Sequence, residues 1–510
     1  MSLPFFLRLV LLTLQLGVSL SANNSDAAGG GSSEDVRCIP PSLTVPKSAV
    51  EAGTHPSQLV IAHRGASSHL PEHTIASYRL GLELGADYIQ TDIVPTQEGE
   101  LIAVHSVDLD VTTDVAKKFP DRKTLSKYLN RTGYWTYNFT LEEIQTLKVK
   151  QRLPSARSTS FDSMFGIPTL TEVLQLLKEW NTGISPFQSK VDDSSRPPPK
   201  PGLVAELKSH PWLLKDANMD LIDLVFKHMK DKEDLWHNTL LDRLCYTQKL
   251  KIHEYRLPPL VFQAFEGSVL ESLAKRWKTV YETGEAGGTQ QYGPMPVPPM
   301  MMLVGKDKCL EESFWFKVGD TWRDVVAGLG PDKECLYPTT KGREFMEKAT
   351  EFNMFVSPWT ERPEVEFIVG GSGEPTSIAP LFGNVLEEIR YFFCTIKVHG
   401  IFSESVDKAV IASNMGCGDS SKSHQGGSSS SSKDPSSGQS MCYATDREAN
   451  LYVGLASFVM GGFISLVTSM WMGRRQGAAR GGTRRHAIPT ADIYTDDKEN
   501  DIDEDDIEML

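Results

Sequence analysis

The chain has 510 residues, of which 40% are hydrophobic, and its formal net charge is −14 at pH 7. This length and apolar content are sufficient for one large buried core with attached segments. The negative net charge argues against an electrostatic footprint for nucleic acid, so we expect no nucleic-acid partner.

The chain opens on an apolar run, 5–20, which contains a single arginine and ends among small residues near Ala22. This pattern is typical of a secretory signal peptide, so we expect cleavage after residues 1–22 and an N-terminal lead segment over 23–57. An uncleaved anchor is the alternative, although the run is short for crossing a bilayer.

Residues 58–415 alternate between short apolar runs and longer stretches of helical periodicity. The short runs predict strands at 59–63, 88–94, 101–105, 203–208, 260–263, 301–304, 354–357 and 398–402. The longer stretches predict helices at 74–84, 170–180, 221–229, 268–277, 343–352 and 382–393. Only the connection between the second and third strands is too short for a helix. Eight buried strands with intervening helices predict an α/β fold, a (β/α)8 TIM barrel. Two stretches rich in Pro, Gly and Ser, 185–201 and 284–299, are predicted insertions on its rim.

The segments after the barrel predict attachment to a membrane. Residues 416–450 are dominated by Ser and Gly and predict a flexible stalk. Residues 451–472 carry no charge and are long enough to cross ~30 Å of hydrocarbon. A buried core helix is the alternative, but arginines follow directly and Trp471 suits the membrane interface. We therefore expect a single-pass type I membrane protein with an extracellular or lumenal barrel, in the plasma membrane or an endomembrane.

Residues 473–510 form the predicted cytoplasmic tail, which turns from basic to strongly acidic and is expected to be disordered. Its last residues resemble an acidic dileucine-type sorting signal. Such short matches also arise by chance.

All seven cysteines lie on the predicted lumenal side, where oxidising conditions permit disulfides. Cys309 with Cys335, and Cys417 with Cys442, are close enough in sequence to close loops. The connectivity is left open by the sequence, and the odd count leaves at least one thiol unpaired or intermolecular. Asparagines in glycosylation acceptor motifs occur at Asn130 and Asn138.

Charged side chains follow three consecutive predicted strands. His63 and Arg64 follow the first, Asp92 lies near the end of the second, and His105 ends the third. A lone histidine at a strand end is more often a structural group than a catalyst. Three such ends in series predict a site, because charges at the end of a buried strand are costly unless paired or bound to a metal.

The order and spacing of several motifs resemble the glycerophosphodiester phosphodiesterase family. The motifs of the first half are His63-Arg64-Gly65-Ala66, Pro71-Glu72-His73-Thr74, Gly85-Ala86-Asp87, Asp92, His105, Thr112-Thr113-Asp114 and Glu206-Leu207-Lys208. Those of the second half are Gln263-x-Phe265, Pro358-Trp359 and Gly400-Ile401-Phe402. The resemblance covers 59–412 and implies a barrel that hydrolyses phosphodiesters.

Phosphodiester hydrolysis needs cations that neutralise the phosphate and a pair of groups that transfer protons. The resemblance implies that His63 and His105 are the catalytic acid and base. It also implies that Arg64 and Lys208 bind phosphate oxygens. Trp359 is expected either to line the pocket against the glycerol moiety or to pack in the core.

The resemblance further implies a divalent metal, Ca or Mg, held by hard oxygen ligands. The expected ligands are Gln90, Asp92 and Glu206. The family usually has Glu where this chain has Gln90, so the expectation is weaker metal affinity through an amide carbonyl. Ser106 and Val111 also replace residues that are common in the family, an Asp and an Arg.

Glu72 and His73 are left with two interpretations, as residues of the pocket wall or as residues that serve the start of the following helix. The leading hypothesis for the whole chain is a membrane-anchored ectoenzyme. It would hydrolyse glycerophosphodiesters, with a metal, to sn-glycerol 3-phosphate and an alcohol. The alternatives are a lysophospholipase D or phospholipase-like activity, and an inactive barrel that serves as a cell-surface binding protein. The head group and the oligomeric state are left open.

Overall fold

The computed structural model describes residues 58–183, 200–244, 258–282, 295–369 and 382–417. Eleven strands occur in these ranges. They are β1 (Leu59–Ala62), β2 (Tyr88–Pro95), β3 (Leu101–Ala103), β4 (Thr124–Ser126), β5 (Arg131–Gly133), β6 (Gly202–Leu207), β7 (Leu260–Ala264), β8 (Met300–Val304), β9 (Gly328–Pro331), β10 (Phe355–Val356) and β11 (Gly400–Ser403).

Eight of the strands described form one curved parallel sheet in the order β10-β9-β8-β7-β6-β2-β1-β11. Backbone hydrogen bonds bring its two edges together, since His399 N–H donates to Val356 O at 2.9 Å and Phe402 N–H donates to Pro358 O at 2.9 Å. The sheet is thus a nearly closed TIM-type barrel, and the predicted fold class is confirmed at this level.

The predicted membership of the barrel is wrong in one place. Predicted strand 101–105 is β3, which pairs antiparallel with β2 in the register Ile93 to Ala103. The short connection that precedes it is a hairpin, so no helix is needed there. The parallel barrel strand that the sequence analysis does not predict is β9. It contains two glycines and a proline and therefore lacks the apolar run that predicts a strand.

Twelve α-helices occur in the described ranges. They are α1 (Ile75–Glu83), α2 (Val115–Lys118), α3 (Leu141–Thr146), α4 (Leu170–Asn181), α5 (His210–Ala217), α6 (Leu221–Asp231), α7 (Glu233–Thr239), α8 (Gly267–Trp277), α9 (Glu312–Asp320), α10 (Thr339–Glu351), α11 (Val385–Tyr391) and α12 (Val406–Met415). Short 3-10 or π turns lie at Thr136–Asn138, Leu241–Arg243, Lys278–Glu282, Lys333–Leu336, Val365–Phe367 and Phe392–Ile396. The helix starts follow capping chemistry. Thr169, for example, accepts from Glu172 N–H while the Glu172 side chain accepts from the backbone of Thr169.

The core has two layers, because successive residues of a strand point to opposite faces. Alternate strand residues fill the barrel interior, namely Leu59, Ile61, Tyr88, Val204, Val261, Met301, Phe355 and Phe402. The intervening residues, such as Val60, Ile89 and Leu203, pack outward against the helices. The strands are therefore apolar on both faces, which is why they appear in the sequence as continuous apolar runs.

Two disulfides lie in the described residues, and one corrects the sequence analysis. Cys309 is bonded to Cys335, as predicted. Cys417 is bonded to Cys394 rather than to Cys442. The end of α12 returns to the turn that follows α11, where Arg390 Nη1 donates to Gly416 O at 3.2 Å, so Cys394 is the adjacent thiol.

Other predicted segments fall outside the described residues. They are the signal peptide, most of both rim insertions, nearly all of the stalk, the apolar segment 451–472 and the tail. Within the ranges that the structure does describe, no helix is long and apolar enough to cross a membrane.

Candidate active site

The two-residue period of the strands places the polar residues above the interior core. Leu59 and Ile61 point into the barrel, so His63 continues the same row. By the same count Gln90 and Asp92 stand above Tyr88. Glu206 and Lys208 continue the row of Val204, and Gln263 and Phe265 continue the row of Val261. Glu404 continues the row of Phe402, so all five side chains reach the same mouth. The C-terminal mouth of the barrel is therefore lined by residues of at least five strands.

The turn after β1 is tight and fixes Arg64. Arg64 and Gly65 both have positive φ, 60° and 89°. A Cβ at Gly65 would lie 2.6 Å from the carbonyl carbon of Ser77, so only glycine fits under α1. Arg64 Nη1 lies 3.4 Å from Glu72 Oε2, and Arg64 Nε lies 3.5 Å from Asp92 Oδ2. The guanidinium is thus held between two carboxylates at the mouth.

His63 is oriented by a carboxylate from the last strand. Its Nδ1 lies 3.3 Å from Glu404 Oε1, and Glu404 also binds Arg157 and Arg362. Burial raises the pKa of Glu404, but Arg362, His63 and Arg157 lower it more, so its pKa lies well below the usual range. Because an ionised carboxylate only accepts, Nδ1 of His63 carries the proton and Nε2 carries the lone pair of the neutral ring. Burial and the charge of Arg64 lower the pKa of His63 to about 4, although Glu404 opposes them.

His105 lies among cations. Burial, and then the charges of Arg64, Arg152 and Lys208, hold its pKa well below the ordinary value. His105 is therefore a neutral imidazole near pH 7.

Asp92 is bound on the side that faces the first loop. His73 Nε2 lies 2.8 Å from Asp92 Oδ2, and His73 Nδ1 lies 2.6 Å from the hydroxyl of Tyr78 on α1. Burial disfavours the charge of Asp92, but His73 and Arg64 outweigh burial and hold its pKa far below normal. His73 thus supports a site carboxylate, and Glu72 binds Arg152 at 2.8 and 2.9 Å, so both residues of this loop belong to the mouth rather than to the helix start.

Glu206 faces a lysine and two amides. Lys208 Nζ lies 3.1 Å from Glu206 Oε1, and Gln263 Nε2 donates to Glu206 Oε2 at 2.6 Å. Burial raises the pKa of Glu206 to about 7, with Lys208 opposing the change. Lys208 also lies 5.4 Å from the ring centre of Phe265, which provides a cation–π contact.

Gln90 lies between the two carboxylates. Its Oε1 accepts from the backbone N–H of Arg64 at 3.0 Å. Its Nε2 donates to Asp92 Oδ1 at 2.5 Å and faces Glu206 Oε2 at 3.3 Å. The backbone N–H can only donate, which fixes the orientation of the amide. The expectation that Gln90 offers a carbonyl oxygen to a metal is therefore corrected, because that oxygen is turned toward the backbone.

The residues present do not fit the expected divalent ion. Both oxygens of Asp92 accept hydrogen bonds, from Gln90 and His73, and Glu206 Oε2 accepts from Gln263. Glu206 Oε1 forms an ion pair with Lys208 at 3.1 Å but accepts no hydrogen bond from the residues described. The amide N–H2 of Gln90 stands where a ligand oxygen is needed. Across the ranges that the structure describes, no group of three or more His, Cys, Asp or Glu is placed to hold a metal ion.

Trp359 follows β10, which is separated from β1 by β11 in the closed barrel. Its indole N–H donates to Gly330 O at 2.7 Å, and its ring meets that of Phe265 edge-on, 5.7 Å between centroids. Trp359 is half-buried, so it contributes both to the wall and to packing. Behind Phe265 is a cavity of about 190 Å³, lined by apolar residues such as Met302 and Phe314 and by polar rim residues such as Lys308.

Several residues of the mouth are missed by the sequence analysis. Glu404 directly follows the matched Gly400-Ile401-Phe402 strand, so its position at a strand end is a signal that could have identified it. Arg152 and Arg157 lie in an irregular stretch before α4 and carry no such signal. Their roles depend on ion pairs with residues far away in the sequence.

Comparisons with known proteins agree with the motifs. The model of the glycerophosphoryl diester phosphodiesterase family matches residues 63–194. A glycerophosphodiester phosphodiesterase of Arabidopsis thaliana is 27% identical over 349 residues, which cover 64% of this chain and 82% of that protein. A glycerophosphodiester phosphodiesterase of Haemophilus influenzae is 31% identical over 183 residues, which cover 34% of this chain and 45% of that protein.

Among solved structures, a putative glycerophosphoryl diester phosphodiesterase from Silicibacter pomeroyi superposes with a TM-score of 0.43 at 19% identity, over 72% of this chain and 98% of that one. The topology described above rests on the strand order of this chain and not on that superposition. The family model matches the part of the chain that carries His63, Asp92 and His105. Over residues 63–194 the chain therefore resembles the glycerophosphodiester phosphodiesterase family.

Proposed function

We propose that this chain hydrolyses glycerophosphodiesters to sn-glycerol 3-phosphate and an alcohol. The observation that carries the proposal is the mouth of the barrel, where two neutral imidazoles adjoin two cations. His63 and His105 are the proposed catalytic residues, and Arg64 and Lys208 are the proposed phosphate-binding residues. The names of the relatives support the same substrate class.

Binding of the phosphodiester would depend on Arg64 and Lys208. The contacts of Arg64 with its carboxylates are long, 3.4 and 3.5 Å, whereas Arg152 binds Glu72 at 2.8 Å. Arg152 thus forms the shorter hydrogen bonds with Glu72, which leaves N–H donors of Arg64 able to bind an anion. Preorganised cations of this kind stabilise the charge that builds on the phosphate oxygens during displacement.

The two imidazoles have different surroundings, which suggests different tasks. His63 has Glu404 beside it, which stabilises an imidazolium, so it suits the general acid. His105 is surrounded by cations that disfavour its protonation, so it suits the general base. Bound phosphate would offset the charge of Arg64 and raise the pKa of His63 toward neutrality.

The reaction then balances without a co-reactant. The oxygen of a water molecule forms a bond to phosphorus while His105 takes one of its protons. The bond between phosphorus and the alcohol oxygen breaks, and His63, protonated at Nε2 once the phosphate is bound, gives that oxygen this proton. No step is assigned to a metal ion, because the oxygens that would hold one are engaged by protein donors.

The leaving alcohol would lie toward Phe265 and Trp359. The cavity of about 190 Å³ beside Phe265 is lined by both apolar and polar residues, which suits an alcohol of a few atoms with an apolar portion. An acyl chain entering this cavity would correspond to the alternative lysophospholipase D activity. Comparing glycerophosphocholine with lysophosphatidylcholine as substrates separates these two.

The direct test uses the full-length protein in mild detergent and follows glycerol 3-phosphate release from glycerophosphocholine, glycerophosphoethanolamine and glycerophosphoinositol. Turnover that His63→Ala and His105→Ala abolish would support the proposal. His399→Ala is a matched control, because His399 is a half-buried imidazole that precedes β11, at the opposite end of the barrel. A folded wild-type protein that turns over none of these substrates would favour the cell-surface binding protein instead.

We also propose that the barrel lies outside the cell or in a lumen, anchored by 451–472 as a type I membrane protein. The two disulfides support an oxidising compartment, and Asn130 is exposed, as a glycan would require. Truncation before Tyr443 keeps Cys417 and is expected to give a secreted, soluble product. A truncated chain that resists alkaline carbonate extraction would mean that residues 1–22 remain as an anchor.

A further inference from the structure

This chain has Gln90 where the family it resembles usually has Glu, and the structure shows what this change does to the site. A divalent ion bound by three oxygen ligands needs those oxygens to converge. Here the oxygen of Gln90 is bonded to the backbone N–H of Arg64, and its N–H2 group points between Asp92 and Glu206. A donor therefore occupies the position between two buried carboxylates that a cation would otherwise satisfy.

The rest of the site pairs the carboxylates with protein groups, although Glu206 Oε1 has only an ion pair. Asp92 Oδ2 has His73 at 2.8 Å, and Glu206 Oε1 has Lys208 at 3.1 Å. Gln263 donates to the second oxygen of Glu206 at 2.6 Å. Asp92 and Glu206 are 1% and 4% exposed, so donors of the protein rather than water must satisfy them. An entering cation would have to displace these donors and would lack a third carboxylate.

We propose that the carboxamide of Gln90 takes the place of a divalent cation between Asp92 and Glu206, so that this chain binds and cleaves its phosphodiester without a bound divalent metal. The catalytic part of this statement rests on the proposed function. Gln90 is a positioning residue in this arrangement. It holds both carboxylates and the backbone of Arg64, and Arg64 and Lys208 alone neutralise the phosphate.

The test measures metal binding and activity separately. Full-length wild-type protein is treated with EDTA, desalted and melted with and without CaCl2 or MgCl2, and glycerophosphocholine hydrolysis is measured in EDTA and in each salt. We expect no metal-induced rise in the melting temperature of the barrel and equal rates with and without EDTA. A saturable rise in melting temperature, or a rate that EDTA abolishes and Ca or Mg restores, overturns the proposal.

Gln90→Glu is the informative variant, because it replaces the donor between the carboxylates by a third carboxylate. We expect it to melt lower than wild type in EDTA and to recover several degrees when Ca or Mg is added, since ligand bound only to the folded state stabilises that state. Gln151→Glu is the control for the change of residue, because Gln151 is a buried glutamine that is not bonded to Asp92 or Glu206. Its melting temperature should not rise when Ca or Mg is added. If Gln90→Glu does not fold, the wild-type measurements decide alone. An inactive wild-type protein would overturn the proposed function, whereas its metal titration would still test the binding inference.

Discussion

Two groups of buried charges belong to the same barrel, yet they differ in whether imidazoles accompany the charges. The first is the mouth around Asp92 and Glu206. The second, here called the lysine cluster, consists of Lys333, Glu361 and Glu388. Lys333 Nζ donates to both oxygens of Glu388 at 3.0 and 3.1 Å and lies 3.9 Å from Glu361.

Within the lysine cluster, both oxygens of Glu388 accept hydrogen bonds, whereas neither oxygen of Glu361 does within the part of the chain that the structure describes. Glu388 also accepts from Val369 N–H at 2.6 Å, and Glu361 and Glu388 are both fully buried. Burial and the neighbouring Glu388 hold the pKa of Glu361 well above normal, so this carboxyl stays protonated. The cluster contains no histidine. The mouth instead joins cations to two imidazoles. A charge at a strand end thus predicts a site only where proton-transfer groups accompany it.

The largest expected difference between the two regions is in catalysis. We expect His63→Ala or His105→Ala to lower kcat by about two to four orders of magnitude, because each removes a group that transfers a proton. The melting temperature should change by only a few degrees, since both side chains lie at the mouth. Steady-state kinetics and thermal melts of the same preparations check both parts. Near-normal turnover would remove that histidine from the mechanism.

Lys333→Met should lower the stability of the fold while leaving the catalytic rate nearly unchanged. It leaves Glu388 buried without its cation, which typically destabilises a protein by about 3–5 kcal/mol. The rate per folded molecule should stay near that of wild type, because Lys333 does not contact the histidines. Denaturant titration measures the first effect, and the rate normalised to the folded fraction measures the second. A rate loss at unchanged stability would place the lysine cluster in the active site.

Glu404→Gln should shift the pH dependence of catalysis. Glu404 raises the pKa of His63 against burial and Arg64, which together lower it to about 4. If His63 is the general acid, kcat/KM falls as pH rises through this pKa, and removing Glu404 should move the fall to lower pH. Glu364→Gln is the control, because Glu364 also binds Arg157, at 2.6 Å, but does not contact His63. If kcat/KM falls at the same pH in Glu404→Gln as in wild type, His63 is not the general acid.

The smallest effect is expected for Glu361→Gln. The folded protein keeps the proton of Glu361 above the pH at which the unfolded chain loses it, so wild-type stability falls as pH rises through this window. Gln does not titrate, so the variant should gain stability relative to wild type as pH rises above about 4, with Lys333 and Glu388 unchanged. Urea titrations at several pH values measure the trend. A difference independent of pH would mean that Glu361 is ionised.

The sequence alone determined the strand-end chemistry. His63, Arg64, Asp92, Glu206 and Lys208 could be placed at one mouth because parallel strands end at the same edge and alternate residues share a face. The helix starts followed from local capping residues such as Thr74 and Thr169. These are local properties, which neighbouring residues in the chain decide.

Only the tertiary structure decided pairings between distant residues. β3 proved to be a hairpin strand and β9 a barrel strand, because hydrogen bonding to neighbours outweighs apolar pattern in a short segment. The pairing of Cys417 with Cys394 depends on how α12 returns to α11. The role of Gln90 depends on a backbone N–H of Arg64, 26 residues away, which turns the amide oxygen away from Asp92. An amide can donate or accept, and its partners in space, not its place in a motif, determine which group it presents.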